Sequence, residues 1–261
     1  MKATFKVKVL QGETPPVPPF VGTRLWINVE EAASVFGIAT ATKATGHASI
    51  AVDWGDGTSE TFTATISGAT HAYANPGTYE IRITDDISAF KVGGAGGEKL
   101  LSRATSNGSA MKSLTASCFT GCTSLGEVDF SELPITVLSS SVFTGCTALR
   151  TTAGLPSGLT QLPVNTFSGC TGLERIVAIP ESVRTLGVSC FRGCTSLTGR
   201  GDFPGVSIIS GLTADQLPFS DCPQLSEIHF AASHMGTITG CTAYLIDNRL
   251  GAANATVYFD L

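Results

Sequence analysis

The sequence predicts a two-part, strand-rich chain: a small antiparallel β-sandwich, then a solenoid of short parallel strands with short helical turns. Three observations carry this expectation. A motif recurs every 24 residues through the second half, Asp-Gly and Pro-Gly turns separate alternating apolar runs in the first half, and a Gly-rich stretch lies between them.

The repeat organises the second half. Cys118-Phe119-Thr120-Gly121-Cys122-Thr123-Ser124-Leu125 returns as Val142-Phe143-Thr144-Gly145-Cys146-Thr147-Ala148-Leu149. It returns again as Thr166-Phe167-Ser168-Gly169-Cys170-Thr171-Gly172-Leu173 and as Cys190-Phe191-Arg192-Gly193-Cys194-Thr195-Ser196-Leu197. A looser copy is Phe219-Ser220-Asp221-Cys222-Pro223-Gln224-Leu225, and Gly240-Cys241-Thr242 reads as a degenerate terminal unit. The Phe positions 119, 143, 167, 191 and 219 are separated by 24, 24, 24 and 28 residues. That period is too short for paired-helix repeats and lies in the leucine-rich window. Leu125 to Phe130, Leu173 to Ile179 and Leu225 to Phe230 share the spacing of a short strand, and Pro134, Pro156, Pro180 and Pro204 close their units. One such unit cannot bury its apolar edge alone, but a stack of them makes a continuous core.

The run F-x-G-C-T-x-L followed by a strand and a Pro resembles the BspA-like leucine-rich repeats of bacterial surface proteins, over about residues 111–241. The resemblance implies a non-enzymatic cell-surface or secreted protein that adheres to host or matrix proteins.

In the first half, Ala51-Val52-Asp53-Trp54-Gly55-Asp56-Gly57-Thr58 places Asp-Gly between alternating runs, a hairpin signal because Gly accepts the positive φ of a tight turn. Pro76-Gly77 marks another turn, and Tyr79, Ile81 and Ile83 alternate into a strand. Thr23 to Val29 and Ser34 to Thr42 read as two more strands. W-G-D-G-T with His71-Ala72-Tyr73 and Gly77-Thr78-Tyr79 resembles the PKD (polycystic kidney disease type) domain over residues 21–92, which implies an immunoglobulin-like sandwich used as a spacer or for weak binding. The expected organisation is a strand and Pro-rich lead-in at 1–20, a sandwich at 21–92, a Gly/Ser-rich joint at 93–110, and a solenoid with a degenerate cap at 111–261.

Composition narrows the function. Lys and Arg total 16 against 21 Asp and Glu, a net charge of -5, so no positive footprint for nucleic acid is expected. Charged residues make up 14% of the chain, against about 25% in an average domain, while 33 Thr and 25 Ser supply the polarity. No apolar run approaches the roughly 18–20 residues of a membrane span, so no membrane insertion is expected. The start, Met1 to Leu10, alternates as a strand, with no apolar stretch of a secretory signal; the surface placement rests on the resemblance.

No cofactor or metal is expected. Cys122, Cys146, Cys170, Cys194 and Cys222 share one repeat position and form a ladder of equivalent thiols, without the C-x-x-C spacing of zinc ribbons. The alternative is bridging, since coils about 5 Å apart lie within disulfide range. Asp53, Asp56, Asp85 and Asp86 offer oxygens for Ca²⁺ but lack the EF-hand spacing, and Asp56-Gly57 is explained by its turn. The Gly93–Gly97 cluster fails the phosphate-loop pattern, because Glu98 stands before Lys99. Neither G-x-S-x-G nor H-E-x-x-H occurs, and an enzyme would require a cleft gathering His229 with Glu227 and a nearby Asp.

Surface recognition remains. Aligned units place Glu127, Thr151, Arg175, Gly199 and Glu227 in one outward row, and Asp129, Ala153, Val177, Gly201 and His229 in a second. The expected partner site is Glu127, Asp129, Thr151, Arg175, Glu227 and His229, presented to a protein or glycan ligand. The alternative is a structural component of a larger assembly, such as a phage or appendage part. Replacing Cys170 by Asp is expected to bury an unpaired charge and cost several kcal/mol; wild-type stability in urea unfolding would show the repeat alignment to be wrong.

Overall fold

In the computed structural model, residues 20–93, 96–209, 217–231 and 251–260 are described. The expected N-terminal strand, the Pro-rich lead-in, the Gly240-Cys241-Thr242 unit and His234 lie outside them.

Alternation makes the front strands. In β1 (Gly22–Val29), Leu25, Ile27 and Val29 point inward, and in β6 (Gly77–Thr84), Ile81 and Ile83 do the same. These two pair antiparallel from Gly22↔Thr84 to Val29↔Gly77. β3 (Ile50–Asp53) joins β6 and forms a hairpin with β4 (Ser59–Phe62), closed by Trp54 N–H donating to the Thr58 carbonyl at 3.0 Å. The second sheet sets β2 (Ser34–Lys43) between β5 (Ile66–Tyr73) and β7 (Ile87–Val92), all antiparallel. Trp54, Tyr73, Phe36 and Phe90 are fully buried in this half.

The expected joint at 93–110 holds regular structure among its described residues. A 3₁₀ turn (Gly97–Leu100) leads into β8 (Leu101–Ser106), which pairs antiparallel with β1 and parallel with β10 (Glu127–Asp129). On the other sheet, β9 (Ser113–Leu114) pairs parallel with β7. Both front sheets therefore continue strand by strand into the first coil. One glycine of the run is required by packing: a Cβ on Gly97 would stand 2.6 Å from the Val35 carbonyl oxygen. Leu101 and Ala104 are fully buried, and the Ser106 hydroxyl meets that of Thr23 at 3.0 Å inside the sheet. Asp85 ties down the next turn by accepting from the backbone N–H groups of Ser109 and Ala110 at 3.1 and 3.0 Å.

The coils stack through three columns. The rings of Phe119, Phe143, Phe167, Phe191 and Phe219 form one file, with successive centroids 5.6, 5.3, 5.3 and 5.3 Å apart and planes within 11°. Beside it, the thiols of Cys146, Cys170, Cys194 and Cys222 donate to the Phe carbonyl of the preceding coil at 3.0–3.2 Å. A third column is Leu114, Leu138, Leu162, Leu186 and Ile209, all buried. Its coils pair parallel through β11 (Gln161–Leu162), β12 (Thr185–Leu186) and β14 (Ile208–Ile209).

The expected short helical turns are single turns. Each closes with one bond of the 3₁₀ kind, such as Cys122 N–H to the Phe119 carbonyl at 3.1 Å, and then the backbone bonds to the next coil. Left-handed residues flank the first four Phe of the column and stop helix growth: Ser117, Ser141, Asn165 and Ser189 before them, and Gly121, Gly145, Gly169 and Gly193 after them. In the loosest copy Asp221 takes the glycine's place at φ 60°. Hydroxyls finish the stack, as where Thr120, Thr144 and Thr160 donate to carbonyls one coil away at 2.8, 2.7 and 2.9 Å. Coil-to-coil hydroxyl bonding accounts for a chain rich in Thr and poor in charge.

On the remaining face, β13 (Gly199–Phe203), β15 (Leu225–Ala231) and β16 (Thr256–Asp260) pair parallel. The strand expected over Leu173 to Ile179 is reduced to a single bridge, Thr151↔Arg175.

Two glycines separate backbone strain from crowding. A Cβ on Gly121 (φ 75°) would meet nothing within 4 Å, whereas one on Gly154 (φ 80°) would stand 2.1 Å from the Val128 carbonyl oxygen. Gly121→Ala is expected to cost about 1–2 kcal/mol, and Gly154→Ala about 1–3 kcal/mol more. Equal losses in denaturant unfolding would contradict this account.

Candidate functional site

Outward side chains line three successive stretches of pairing: the front sheet through β10, the Thr151↔Arg175 bridge, and the β13–β15–β16 sheet. The register places Glu80 and Arg82 of β6 beside Trp26 and Arg24 of β1, and these beside Arg103 and Thr105 of β8. Next come Glu127 and Asp129, opposite Arg103 and Thr105. Thr151 and Arg175 follow, then β13, β15 and β16.

Along this face the six expected partner residues have different surroundings. Glu127 is exposed and pairs with the Arg103 guanidinium at 3.1 Å. Asp129 accepts from the N–H and hydroxyl of Ser131 at 3.2 and 2.7 Å. Thr151 is half-buried, while Arg175 is exposed and makes no ion pair among the described residues. Glu227 is half-buried beside His229.

Two corrections concern the C-terminal end. Gly199 does not face Glu227: left-handed Gly199 (φ 70°) forms a bulge, so Arg200 pairs with Glu227 and Asp202 with His229. His229 is not an exposed contact; it is 6% exposed because β16 lies outside β15 and lays Tyr258 on the imidazole. The rings stack at 4.5 Å and 15°. The alternation of Val257 and Phe259 was a strand signal that the cap reading passed over.

Side-chain chemistry concentrates at the two ends of the face. Near the front, Arg103 lies over the Trp26 ring at 4.7 Å and Arg24 over Phe20 at 5.1 Å, beside a trough of about 310 Å³ that Asp129 and Glu132 also line. The Arg103 Nε is buried without a hydrogen-bond partner among the described residues. At the far end a cleft of about 400 Å³ is lined by Arg200, Asp202, Phe203, His229, Phe230 and Asp260, among others. His229 and two aspartates, Asp202 and Asp260, line this cleft, while Glu227 pairs with His229 from outside its lining. Among the described residues its lining holds no Ser, Thr or Cys.

The four front aspartates do not converge. Asp53 accepts from the Gly55 N–H at 2.9 Å, Asp85 holds the Ser109 turn, and Asp86 contacts His47 and Thr84. Asp56 accepts from the Thr58 N–H and hydroxyl at 3.0 and 2.6 Å and faces His71 Nε2 at 2.7 Å. His71 stacks on Trp54 at 4.9 Å, and the Tyr73 hydroxyl donates to the Trp54 carbonyl at 2.9 Å. The W-G-D-G and H-x-Y motifs are therefore two sides of one hairpin brace.

Residues 103–204 match the family model described as BspA type Leucine rich repeat region, in six copies. The repeats over that stretch are similar to this family. No curated protein matches the chain. Among solved structures, a leucine rich repeat protein of T. pallidum is 25% identical, with 57% of this chain and 67% of that one covered and a TM-score of 0.44. A leucine rich cell surface protein of Faecalibacterium prausnitzii A2-165 is 24% identical, with coverage of 60% and 36% and a TM-score of 0.42. A leucine-rich repeat protein of Bacteroides ovatus ATCC 8483 is 19% identical, with coverage of 57% and 41% and a TM-score of 0.36. This chain thus spans well under half the length of the last two. No helix among the described residues is long and apolar enough to cross a membrane.

The BspA-type match begins inside β8, so the repeats start within the sheet that β1 and β6 share. Their cysteines serve packing. The seven described cysteines are free and buried. Burial pushes the thiols of Cys122 and Cys170 up to about 12, and it raises those of Cys118, Cys146 and Cys190 as well. A hydrogen bond involving Cys222, followed by burial, raises Cys194. Protonated thiols are weak nucleophiles and metal ligands, but they keep the S–H that the Phe carbonyls accept.

The hairpin brace has a pH signature. Burial alone would raise the Asp56 carboxyl, but the bonds from Thr58 and His71 outweigh it and hold the group at about 2. A folded value below the ordinary 3.8 adds stability that is complete above the unfolded value and is lost as pH falls through about 2. Asp56→Asn is expected to cost about 1 kcal/mol at neutral pH after allowance for solvent screening. Urea unfolding should show the gap closing toward pH 2; a gap of constant size would mean that the charge contributes nothing.

Proposed function

We propose that this chain is a non-catalytic, adhesin-like bacterial binding protein, carried on the cell surface or secreted, that presents its long sheet face to a protein or glycan partner. The observation that carries the reading is the gathering of aromatic and charged side chains at the two ends of this face, on the front sheet that runs through β10 and on the β13–β15–β16 sheet. Aromatic–arginine pairs such as Trp26 with Arg103 offer a flat apolar surface beside hydrogen-bond donors, which suits sugar rings and peptide side chains. The BspA-type match over 103–204 supports placement on or outside a bacterial cell. The two front sheets, with their W-G-D-G hairpin, are read as a PKD-like, immunoglobulin-like unit. Since they pair directly with the first coil, their role is to cap the solenoid's apolar end and lengthen its face, in place of a flexible spacer.

The test is a screen of the purified chain against extracellular-matrix proteins and a glycan array, with Glu127→Lys, Arg175→Glu and Glu227→Lys alongside. A saturable hit weakened tenfold or more by these variants is expected. Arg175→Glu is the cleanest of them, because it breaks no ion pair among the described residues. Binding left intact by all three would move the contact to another surface, and no hit at all would favour a part of a larger assembly.

A further inference from the structure

The last three strands bring Arg200, Asp202, Glu227, His229 and Asp260 together at the C-terminal end of the face. The His229 side chain is 7% exposed and has a carboxylate at each nitrogen. Nδ1 lies 2.8 Å from both Asp260 oxygens, and Nε2 lies 3.0 Å from Glu227 Oε2. A neutral imidazole carries one N–H. With that hydrogen donated to Glu227, Nδ1 faces the Asp260 carboxylate, a contact completed either by a second ring proton or by a metal ion bound beside both groups. The Tyr258 stack and the β15–β16 ladder hold the ring in this orientation.

The surrounding groups meet that demand. Nδ1 of His229 and one oxygen each from Asp202 and Asp260 lie within 4.8 Å of one another, a span that bonds of about 2.0–2.2 Å to a shared ion would close with small side-chain movements. Arg200 bonds Oδ1 of Asp202 at 2.6 Å and Oδ2 of Asp260 at 2.7 Å, leaving the second oxygen of each off the guanidinium. Three carboxylates against one guanidinium leave two negative charges in excess, which a divalent ion beside a neutral imidazole neutralises.

We propose that Asp202, Nδ1 of His229 and Asp260 form a binding site for a divalent first-row transition-metal ion, with zinc the most fitting. Glu227 accepts the Nε2–H and so fixes the tautomer that ligates. An imidazole ligand with only two carboxylates favours such an ion over Ca²⁺ or Mg²⁺, which require more oxygens. The remaining coordination positions open onto the cleft of about 400 Å³ walled by Phe203 and Phe230. This site goes beyond the partner-binding reading and stands or falls without it.

The test is calorimetric titration of the full chain with zinc chloride in a reducing, chelator-free buffer. One saturable site per chain is expected, weakened at least tenfold by Asp202→Asn and Asp260→Asn and abolished by His229→Ala. Circular dichroism checks that His229→Ala folds, and Asp202→Asn, at an exposed side chain, keeps the test informative if it does not. Cobalt in place of zinc should give visible ligand-field bands with no thiolate-to-cobalt charge transfer. The proposal fails if no saturable site is found, if both carboxylate variants bind as wild type does, or if the cobalt spectrum shows cysteine ligation.

Discussion

Everything in this molecule depends on one coil sitting in register on the next, and the Phe-x-Gly-Cys corner sets that register. The Phe rings are near-parallel and 5.3–5.6 Å apart, a separation that follows from a coil rise of about 4.8 Å with a small offset between rings. Each buried ring contributes roughly 1.5–3 kcal/mol through burial, and each stacked pair about 0.5–1.5 kcal/mol beyond it. The thiol beside the ring reaches the carbonyl of the Phe one coil back, a bond that forms only when the two coils are aligned. Left-handed residues on either side of the Phe turn the chain sharply enough to start the next side of the coil. A change in any of these parts shifts both neighbouring coils, since a solenoid has only nearest-neighbour contacts to rely on.

That dependence explains the front half. A solenoid left bare at its first coil would expose the apolar column and an unpaired strand edge. Here β7 and β8 supply the missing neighbours: the Phe90 ring lies 6.3 Å from Phe119, tilted by 52°, and the Phe90 carbonyl accepts from the Cys118 thiol at 3.1 Å. The front strand thus plays the part of a preceding coil. The outward face consequently includes side chains from both halves, which puts Trp26 and Arg103 beside Glu127.

Polarity along the face is uneven for a structural reason. In the middle coils the strands are minimal and Thr151, Ala153 and Val177 carry little charge. At the ends the strands are longer, so successive outward residues align into clusters of opposite charge. The same lengthening covers His229: a seven-residue β15 allows β16 to pair along five positions and bury the imidazole beneath Tyr258.

The sequence by itself determined the 24-residue period, the column of Phe and Cys, the hairpin at Asp56-Gly57 and the strands at Thr23 to Val29 and Ser34 to Thr42, each within one residue of the observed bounds. Each of these follows from residue spacing and local backbone preference, which a single chain segment expresses without reference to its neighbours. Only the tertiary structure decided that Leu101–Ser106 form a strand shared by both halves, that the bulge at Gly199 brings Arg200 opposite Glu227, and that His229 lies covered between two carboxylates. Those features depend on which strand pairs with which across long stretches of sequence, and hydrogen-bond pairing between distant segments leaves no periodic mark on either one.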